Sequence, residues 1–195
     1  GGSIAEPASF CDIFGLCPTY GRVSRYGLID FGNSLDKIGS MGKNAYETAL
    51  LQETISGYDK RDSTSLNVEV DDYTHLETKH KFKVGIIKEA FEEGIDKSVD
   101  KKTHEAIKKL EDNGVHFEEV SLEMPIKYGI ATYYVIGTSE ASTNLAKYCG
   151  MRYGAFEKLE GTFNEYFTKI RSKNLGEEAK RRIILGTFAR MSGLR

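Results

Sequence analysis

The chain opens with Gly-Gly-Ser-Ile at residues 1–4, a spacing that could support acyl-transfer chemistry. Glycines before a serine let the backbone turn with positive φ and leave amide N–H groups unshielded. Such amides can donate to one oxyanion, and the serine hydroxyl can attack an acyl carbon when a base takes its proton. A plain loop stays open as the alternative, because glycine and serine are common in turns.

Other residues that often do chemistry are less well placed in the sequence. Cys11, Cys17 and Cys149 have neither zinc-site nor thioredoxin spacing, so we expect reduced thiols and no metal or cofactor site. The four histidines lie in polar stretches, in a charged helical stretch or at a strand, and none is placed like a catalytic base. The Gly-Gly-Ser segment is therefore the main catalytic candidate.

Composition limits the classes to which the protein can belong. A length of 195 residues is enough to bury a core, and we expect one domain over residues 1–195 that is part of a larger one. The net charge of −2 gives no sign of a nucleic-acid surface. No apolar run approaches the roughly 20 residues of a membrane span, and no signal peptide is visible. The composition indicates a soluble, intracellular protein.

The pattern of elements predicts an α/β protein. A strand is expected in "KFKVGII", a helix in "SVDKKTHEAIKKLEDNG" and a second strand in "VHFEEVSL". Strand, helix and strand over about forty residues form a βαβ unit, which is usually parallel and right-handed. Before it, "NAYETALLQETISG" predicts a helix with Asn44 and Glu47 in a capping box, and residues 58–81 are expected to be a polar surface connection.

Two further helices carry candidate binding residues. "YGIATYYVIGTSEASTNLAKY" predicts a largely buried helix, and "NLGEEAKRRIILGTFARMSG" predicts a helix with a capping box of Asn174 and Glu177 and a stop at Gly193. Arg181 and Arg182 stand among apolar residues in the second helix, which suggests burial on most sides. A partly desolvated arginine needs an anion, which could be an internal glutamate or the carboxylate of a substrate.

Several motifs in this order resemble the amidase-signature family of serine amidohydrolases. They are "GGSI", "PASFC", "GL", "PTYGRVSRYGLI", "SLDKIG", "GYDKRDSTS", "YYVIGTSEASTNLAKYCGMRYG" and "KRRIILGTFARMSG". The resemblance covers nearly the whole chain and implies part of an amidase-signature fold, with a mixed sheet flanked by helices. In "GRVSRYG", Arg22, Ser24 and Arg25 are expected to act as a structural bracket that packs a bend.

The resemblance also implies roles for individual residues. Ser3 matches the nucleophile, and the amides around Gly1, Gly2 and Ser3 match part of the oxyanion hole. Arg182 matches a residue that binds the α-carboxylate of glutamine. Either Tyr133 or Tyr134, with the neighbouring Thr138 and Ser139, is expected near the substrate pocket, although core packing is the common role of such aromatics.

The family's catalytic lysine and second serine, the latter on a cis peptide bond, lie upstream of the motif at residues 1–4. We therefore expect this chain to resemble the middle of a longer amidase whose base comes from outside it. The sequence also departs from the family pattern at four positions. Ala5 replaces an arginine, Asp12 replaces a glycine, Cys17 replaces a lysine and Ser40 replaces a proline. Asp12 is expected to crowd a turn that favours positive φ.

The resemblance implies a glutamine amidohydrolase that works through an acyl-Ser3 intermediate and supplies ammonia to a tRNA-dependent amidotransferase. ATP and Mg²⁺ would belong to partner subunits (B and C of such an assembly), and tRNA would be reached only through them. The expected compartment is the cytoplasm or an organellar matrix, without membrane contact. A non-catalytic amidase-like module and a general amidase for small carboxamides remain the alternatives.

Overall fold

The computed structural model describes residues 2–76, 82–92 and 94–192. Its helices and strands, in chain order, are α1 (Ala5–Phe10), β1 (Phe14–Leu16), β2 (Ser40–Gly42), α2 (Ala45–Ile55), β3 (Lys83–Ile87), α3 (Lys97–Asp112), β4 (His116–Val120), α4 (Glu123–Asn144), α5 (Phe163–Asn174) and α6 (Glu177–Met191). They group into two units, residues 2–76 with 133–192 and residues 82–132 without 93, and the boundary falls within α4. Throughout the described ranges, every helix is too short or too polar to cross a membrane.

The first unit begins with a tight turn that leads into α1. Gly2 has a φ of +87°, and its carbonyl accepts the N–H of Glu6 at 2.8 Å, which leads the chain into the helix that begins at Ala5. After α1 the chain reverses at Asp12, whose φ of 53° lies in the left-handed region. This confirms that Asp12 occupies a turn of positive φ, where glycine would fit without a steric cost.

Strands β1 and β2 pair antiparallel, with Phe14 opposite Gly42 and Leu16 opposite Ser40. The Ser40 side chain is buried and donates to the Thr48 carbonyl at 2.9 Å, which ties β2 to α2. The side chain of Asn44 accepts the N–H of Glu47 at 2.8 Å, as the capping motif predicts. Sequence reasoning did not identify β1 or β2, because each has only three residues.

The predicted bracket in "GRVSRYG" is confirmed by its hydrogen bonds. Buried Arg22 donates from Nε to the Tyr73 hydroxyl at 2.5 Å, and Ser24 donates to Asp59 at 2.8 Å. The backbone N–H of Arg25 donates to Asp62 at 2.8 Å. These bonds hold the bend after β1 against the turns of residues 58–76.

The second unit contains the predicted βαβ arrangement. Strands β3 and β4 pair in parallel, with Lys83 opposite His116 and Ile87 opposite Val120. Helix α3 lies between them in sequence, and Asp96 caps it by accepting the N–H of Ser98 at 2.7 Å. The helical and strand periods of the sequence are therefore sufficient to predict this unit, apart from Lys81, which lies outside the described residues.

Helices α4 and α6 approach each other closely in the first unit. Gly186 of α6 is buried, and a Cβ atom built on it would overlap the backbone carbonyl of Thr138 in α4. The same Cβ would lie 2.8 Å from the Ser139 nitrogen. The absence of a side chain at Gly186 is therefore what lets the two backbones meet.

The expected capping box at the start of α6 is wrong. Asn174 does not cap α6, because it is the last residue of α5 and its Nδ2 donates to the Ile170 carbonyl at 2.9 Å. Gly176 precedes α6 without a side-chain cap, whereas a capping box that sequence reasoning missed, Thr162 with Glu165, starts α5. The predicted stop at Gly193 lies outside the described residues.

The expected burial of α4 and α6 is also wrong. Along α4 the buried residues are Gly137, Thr138, Ala141 and Ser142, while Ile130 is 76% exposed. In α6 the buried residues are Gly186 and Ala189, whereas the apolar side chains of Ile184 and Phe188 are largely exposed. Apolar composition alone does not reveal which faces of a helix another element covers.

We predict that Gly186→Ala destabilises the first unit by about 1–3 kcal/mol, because the added methyl group forces α4 and α6 apart. Urea denaturation followed by circular dichroism would measure the change in unfolding free energy. Gly129→Ala is the matched control, since a Cβ at this exposed position of α4 meets nothing within 4 Å. It should be neutral or stabilising by up to about 1 kcal/mol through helix propensity. Equal effects of the two substitutions would contradict the packing explanation.

We predict that Asp12→Gly raises the unfolding free energy by about 0.5–1 kcal/mol, because it removes the steric cost of a left-handed φ. Asp12→Ala keeps the Cβ atom and tolerates this φ less well than aspartate, so it should be destabilising. Thermal denaturation of both variants would test this pair of opposite shifts. Shifts in the same direction would mean that backbone strain at Asp12 does not control stability.

Candidate functional site

A cleft of about 380 Å³ lies in the first unit and is bordered by five parts of the chain. They are the turn and first residues of α1, Cys17, the segment 28–37 and two side chains from α4 and α6. Ser3, Tyr133 and Arg182 all line it. Residues separated by about 180 positions in the sequence therefore border one cavity.

Ser3 lies exposed in the turn before α1 and lines the cleft beside Gly2. Among the residues that the structure describes, no acceptor is hydrogen-bonded to the Ser3 amide. An unpaired N–H next to a serine hydroxyl is what an oxyanion would use. Gly1, the other amide assigned to this site, lies outside the described residues, and the catalytic roles of all three residues stay predictions.

Arg182 combines an internal ion pair with a place on the cleft. Its Nε donates to Glu178 Oε1 at 2.6 Å, and its guanidinium lies 5.5 Å from the centroid of the Phe31 ring. Within the described ranges, no protein acceptor is hydrogen-bonded to its two terminal nitrogens. One edge of the guanidinium is therefore held by Glu178, and the other donors remain available to a ligand of the cleft.

Glu178 also holds the neighbouring arginine. Arg181 donates to it from Nε at 2.7 Å and from a terminal nitrogen at 2.8 Å, and these bonds lower the pKa of the Glu178 carboxyl to about 2. Glu178 is therefore ionised at neutral pH. Arg181 lies 5.9 Å from the Tyr134 ring centroid and is not among the cleft residues. The two arginines thus share one carboxylate but differ in access to the cleft.

The candidate binding residues on α4 also differ in their access to the cleft. Tyr133 lines the cleft, whereas Tyr134 and Ser139 are not among the residues that border it. The hydroxyl of Ser139 donates to the Val135 carbonyl at 2.6 Å, and that of Thr138 donates to the Tyr134 carbonyl. Both hydroxyls are thus bonded within their own helix, and of the four candidates only Tyr133 borders the cleft.

Sequence reasoning missed the contribution of residues 31–37 to the cleft. Asp36 Oδ2 accepts the backbone N–H groups of Phe31 at 2.7 Å and Gly32 at 3.0 Å, which closes this segment into a loop. Lys37 follows directly and lines the cleft, with no carboxylate within ion-pair distance in the part of the chain that is described. The available signal was the unusual density of turn residues between positions 27 and 40.

The ionisable groups that border the cleft are Cys17, Asp36, Lys37, Tyr133 and Arg182. Lys37 and Arg182 bring two positive charges to the cleft and Asp36 brings one negative charge, so the lining has a net positive charge. The described residues hold no cluster of three or more His, Cys, Asp or Glu side chains suited to a metal ion. A lining of net positive charge suits an anionic ligand.

A larger groove of about 860 Å³ lies between β1, α2 and residues 66–76. It shares Cys17 with the cleft, but Ser3 and Arg182 do not border it. The larger volume of this groove therefore does not identify it as the candidate functional site, because Ser3 and Arg182 border the smaller cleft.

Comparison with known proteins gives close relatives. The chain is 47% identical over 196 residues to the A subunit of glutamyl-tRNA(Gln) amidotransferase from Cyanothece sp., covering 99% of this chain and 40% of that protein. It is 49% identical over 196 residues to the protein of the same name in Thermodesulfovibrio yellowstonii, with the same coverage. The chain thus spans about 40% of the length of these curated relatives.

Solved structures give the same picture of the fold. A crystal structure of the A subunit of glutamyl-tRNA(Gln) amidotransferase from Thermotoga maritima matches with a TM-score of 0.71 and 38% identity, covering 99% of this chain and 37% of that one. The peptide amidase of Stenotrophomonas maltophilia matches with a TM-score of 0.69 and 23% identity, covering 95% of this chain and 39% of that one, which supports the fold alone.

The expected fold class, an α/β amidase-signature fold, is confirmed. The family model described as Amidase matches residues 1–195. The chain belongs to the Amidase family.

Proposed function

We propose that this chain carries the glutamine-hydrolysing site of a tRNA-dependent amidotransferase. The observation that carries the proposal is that Ser3 and Arg182 border one cleft of about 380 Å³. A nucleophile and a carboxylate receptor at one cavity suit a small amide that has its own carboxylate. The two relatives described above are named as the A subunit of glutamyl-tRNA(Gln) amidotransferase, which supports glutamine as that amide.

The proposed reaction is acyl transfer in two steps. Ser3 Oγ attacks the side-chain carbonyl carbon of glutamine while a base from outside this chain takes its proton. The C–N bond then breaks, the nitrogen receives a proton and leaves as ammonia, and the acyl group stays on Ser3. Water hydrolyses this ester to glutamate and restores the hydroxyl. The amides around Gly1, Gly2 and Ser3 would stabilise the oxyanion of each step.

Binding would place the reacting amide through the other end of glutamine. The terminal nitrogens of Arg182 can form a two-point hydrogen bond with the α-carboxylate, while Glu178 holds its Nε at 2.6 Å. Tyr133 borders the same cleft and would pack against the substrate, whereas Tyr134 and Ser139 make their contacts elsewhere. Fixing the carboxylate limits the positions of the amide relative to Ser3.

Ammonia from this site would serve the B and C partner subunits. Those partners would activate the glutamyl or aspartyl group of a misacylated tRNA with ATP and Mg²⁺, so tRNA contacts this chain only through them. This division of labour agrees with the net charge of −2, which offers no basic surface for nucleic acid. The assembly would work in the cytoplasm or an organellar matrix.

A non-catalytic role is the second candidate. The observation in its favour is Ala5, which lines the cleft next to the Ser3 turn where the family has arginine. That change removes a cation that could brace the turn by pairing with acidic groups. The outcome of the Ser3 substitution distinguishes this candidate from the enzymatic one.

We predict that Ser3→Ala lowers glutamine hydrolysis at least about 1,000-fold, because no acyl-enzyme can form. Ammonia release would be measured in the complete protein with its partner subunits. Ser9→Ala is the matched control, since Ser9 is an exposed serine of α1 that does not line the cleft. No glutamine hydrolysis by the unsubstituted protein, or equal hydrolysis by Ser3→Ala, would favour the non-catalytic role.

We predict that Arg182→Ala raises the KM for glutamine about 10- to 100-fold, since a charge-assisted hydrogen bond to the carboxylate is lost. Arg181→Ala is the matched control, because Arg181 bonds to the same glutamate but does not line the cleft. Steady-state kinetics of both variants would measure the difference. Equal KM values for the two variants would remove Arg182 from the binding site.

A further inference from the structure

The loop of residues 30–36 is tied to the end of α4 and the turn that follows it by three side chains. Glu140 accepts the backbone N–H of Ser34 at 3.0 Å through Oε2 and the Ser34 hydroxyl through Oε1. Asn144 donates to the Phe31 carbonyl at 2.9 Å, and Lys147 pairs with Asp30. These contacts join residues more than 100 positions apart, so the loop does not depend on local sequence alone for its position.

The same loop supports Arg182. Phe31 is fixed on both sides of its backbone, because its N–H donates to Asp36 at 2.7 Å and its carbonyl accepts from Asn144. Its ring lies 5.5 Å from the Arg182 guanidinium, within the range of a cation–π contact. The Glu140 carboxylate reaches close to buried Gly32, next to Phe31, where a Cβ atom would lie 3.5 Å from Oε2. The contacts therefore run from Glu140 through the loop to Phe31 and then to Arg182.

We infer that Glu140 is a positioning residue for the substrate-carboxylate site and acts on Arg182 through the loop of residues 30–36. This inference rests on the proposed function, in which Arg182 binds the α-carboxylate of glutamine. Glu178 holds Arg182 at Nε, and the Phe31 ring supports the face of the guanidinium. With both contacts in place, the terminal nitrogens are oriented before glutamine binds, which lowers the entropic cost of binding.

The inference separates Glu140 from a residue that only stabilises the fold. A stabilising residue would lower the amount of active protein and leave the KM unchanged. A positioning residue changes the KM for substrates that carry the α-carboxylate, and its effect disappears when Arg182 is absent. Double-mutant cycles detect such coupling between residues that share a network.

The experiment measures ammonia release by the complete protein with its partner subunits. Glu140→Ala should raise the KM for glutamine about fivefold to tenfold with kcat changed less than about twofold. In an Arg182→Ala background the same substitution should change the KM less than about twofold. Hydrolysis of 4-aminobutanamide, which lacks the carboxylate, should be unaffected by Glu140→Ala. Glu140→Gln keeps one acceptor for Ser34 and should give an intermediate KM for glutamine.

Thr143→Ala is the matched control, because the Thr143 hydroxyl is exposed and donates only to the Glu140 carbonyl of its own helix at 2.7 Å. It should leave the KM unchanged. Ser34→Ala removes a single hydroxyl and tests the same contact if Glu140→Ala fails to fold, with an expected KM increase of about two- to threefold.

The outcomes are distinct. A KM for glutamine that is unchanged in Glu140→Ala and Ser34→Ala, or an increase that persists fully without Arg182, would overturn the positioning role alone. No glutamine hydrolysis by the unsubstituted protein would overturn the proposed function and this inference with it. A crystal structure of Glu140→Ala gives a readout without turnover. Arg182 displaced from the Phe31 ring would support the inference, and an unmoved loop would contradict it.

Discussion

At Gly186 the backbone of α6 meets the backbone of α4 at Thr138, in a space that cannot hold a Cβ atom. Arg182 lies one helical turn before this crossing on α6, and Tyr133 lies about one and a half turns before it on α4. The crossing therefore brings together the two helices from which Arg182 and Tyr133 reach the cleft. Close packing at a small residue sets the approach of the two helices, and side-chain contacts then orient Arg182.

The cleft itself is assembled from the two ends of the first unit. The Ser3 turn is local, since Gly2 and the first turn of α1 determine it. Arg182 instead depends on Glu178 of its own helix and on Phe31 from a loop. In the proposed function, the Ser3 turn would supply the nucleophile and Arg182 would bind the substrate, so catalysis and recognition would come from separate parts of the chain.

Local sequence patterns predicted the local features of this fold. The βαβ unit, the cap at Asn44 and the arginine bracket follow from periodicity or residue type, whereas the positive φ at Asp12 follows from the resemblance, because the family has glycine at that position. The prediction that Asn174 caps α6 was wrong, because an asparagine between two helices can be the last residue of the first helix as readily as the cap of the second. The prediction that α6 is buried on most sides was wrong, because the apolar composition of a helix does not show which of its faces another element covers. Glu140 and the loop of residues 30–36 depend on contacts across more than 100 residues, which no local pattern encodes.

The exposed thiol of Cys17 borders the same cleft as Ser3. Thiolates are intrinsically stronger nucleophiles than neutral hydroxyls. An electrophilic glutamine analogue delivered to this cavity would therefore meet two competing nucleophiles, and an adduct mass alone would not identify the residue that reacted. Assignment of an adduct to the serine in this protein requires peptide-level sequencing or a chain in which the thiol has been blocked.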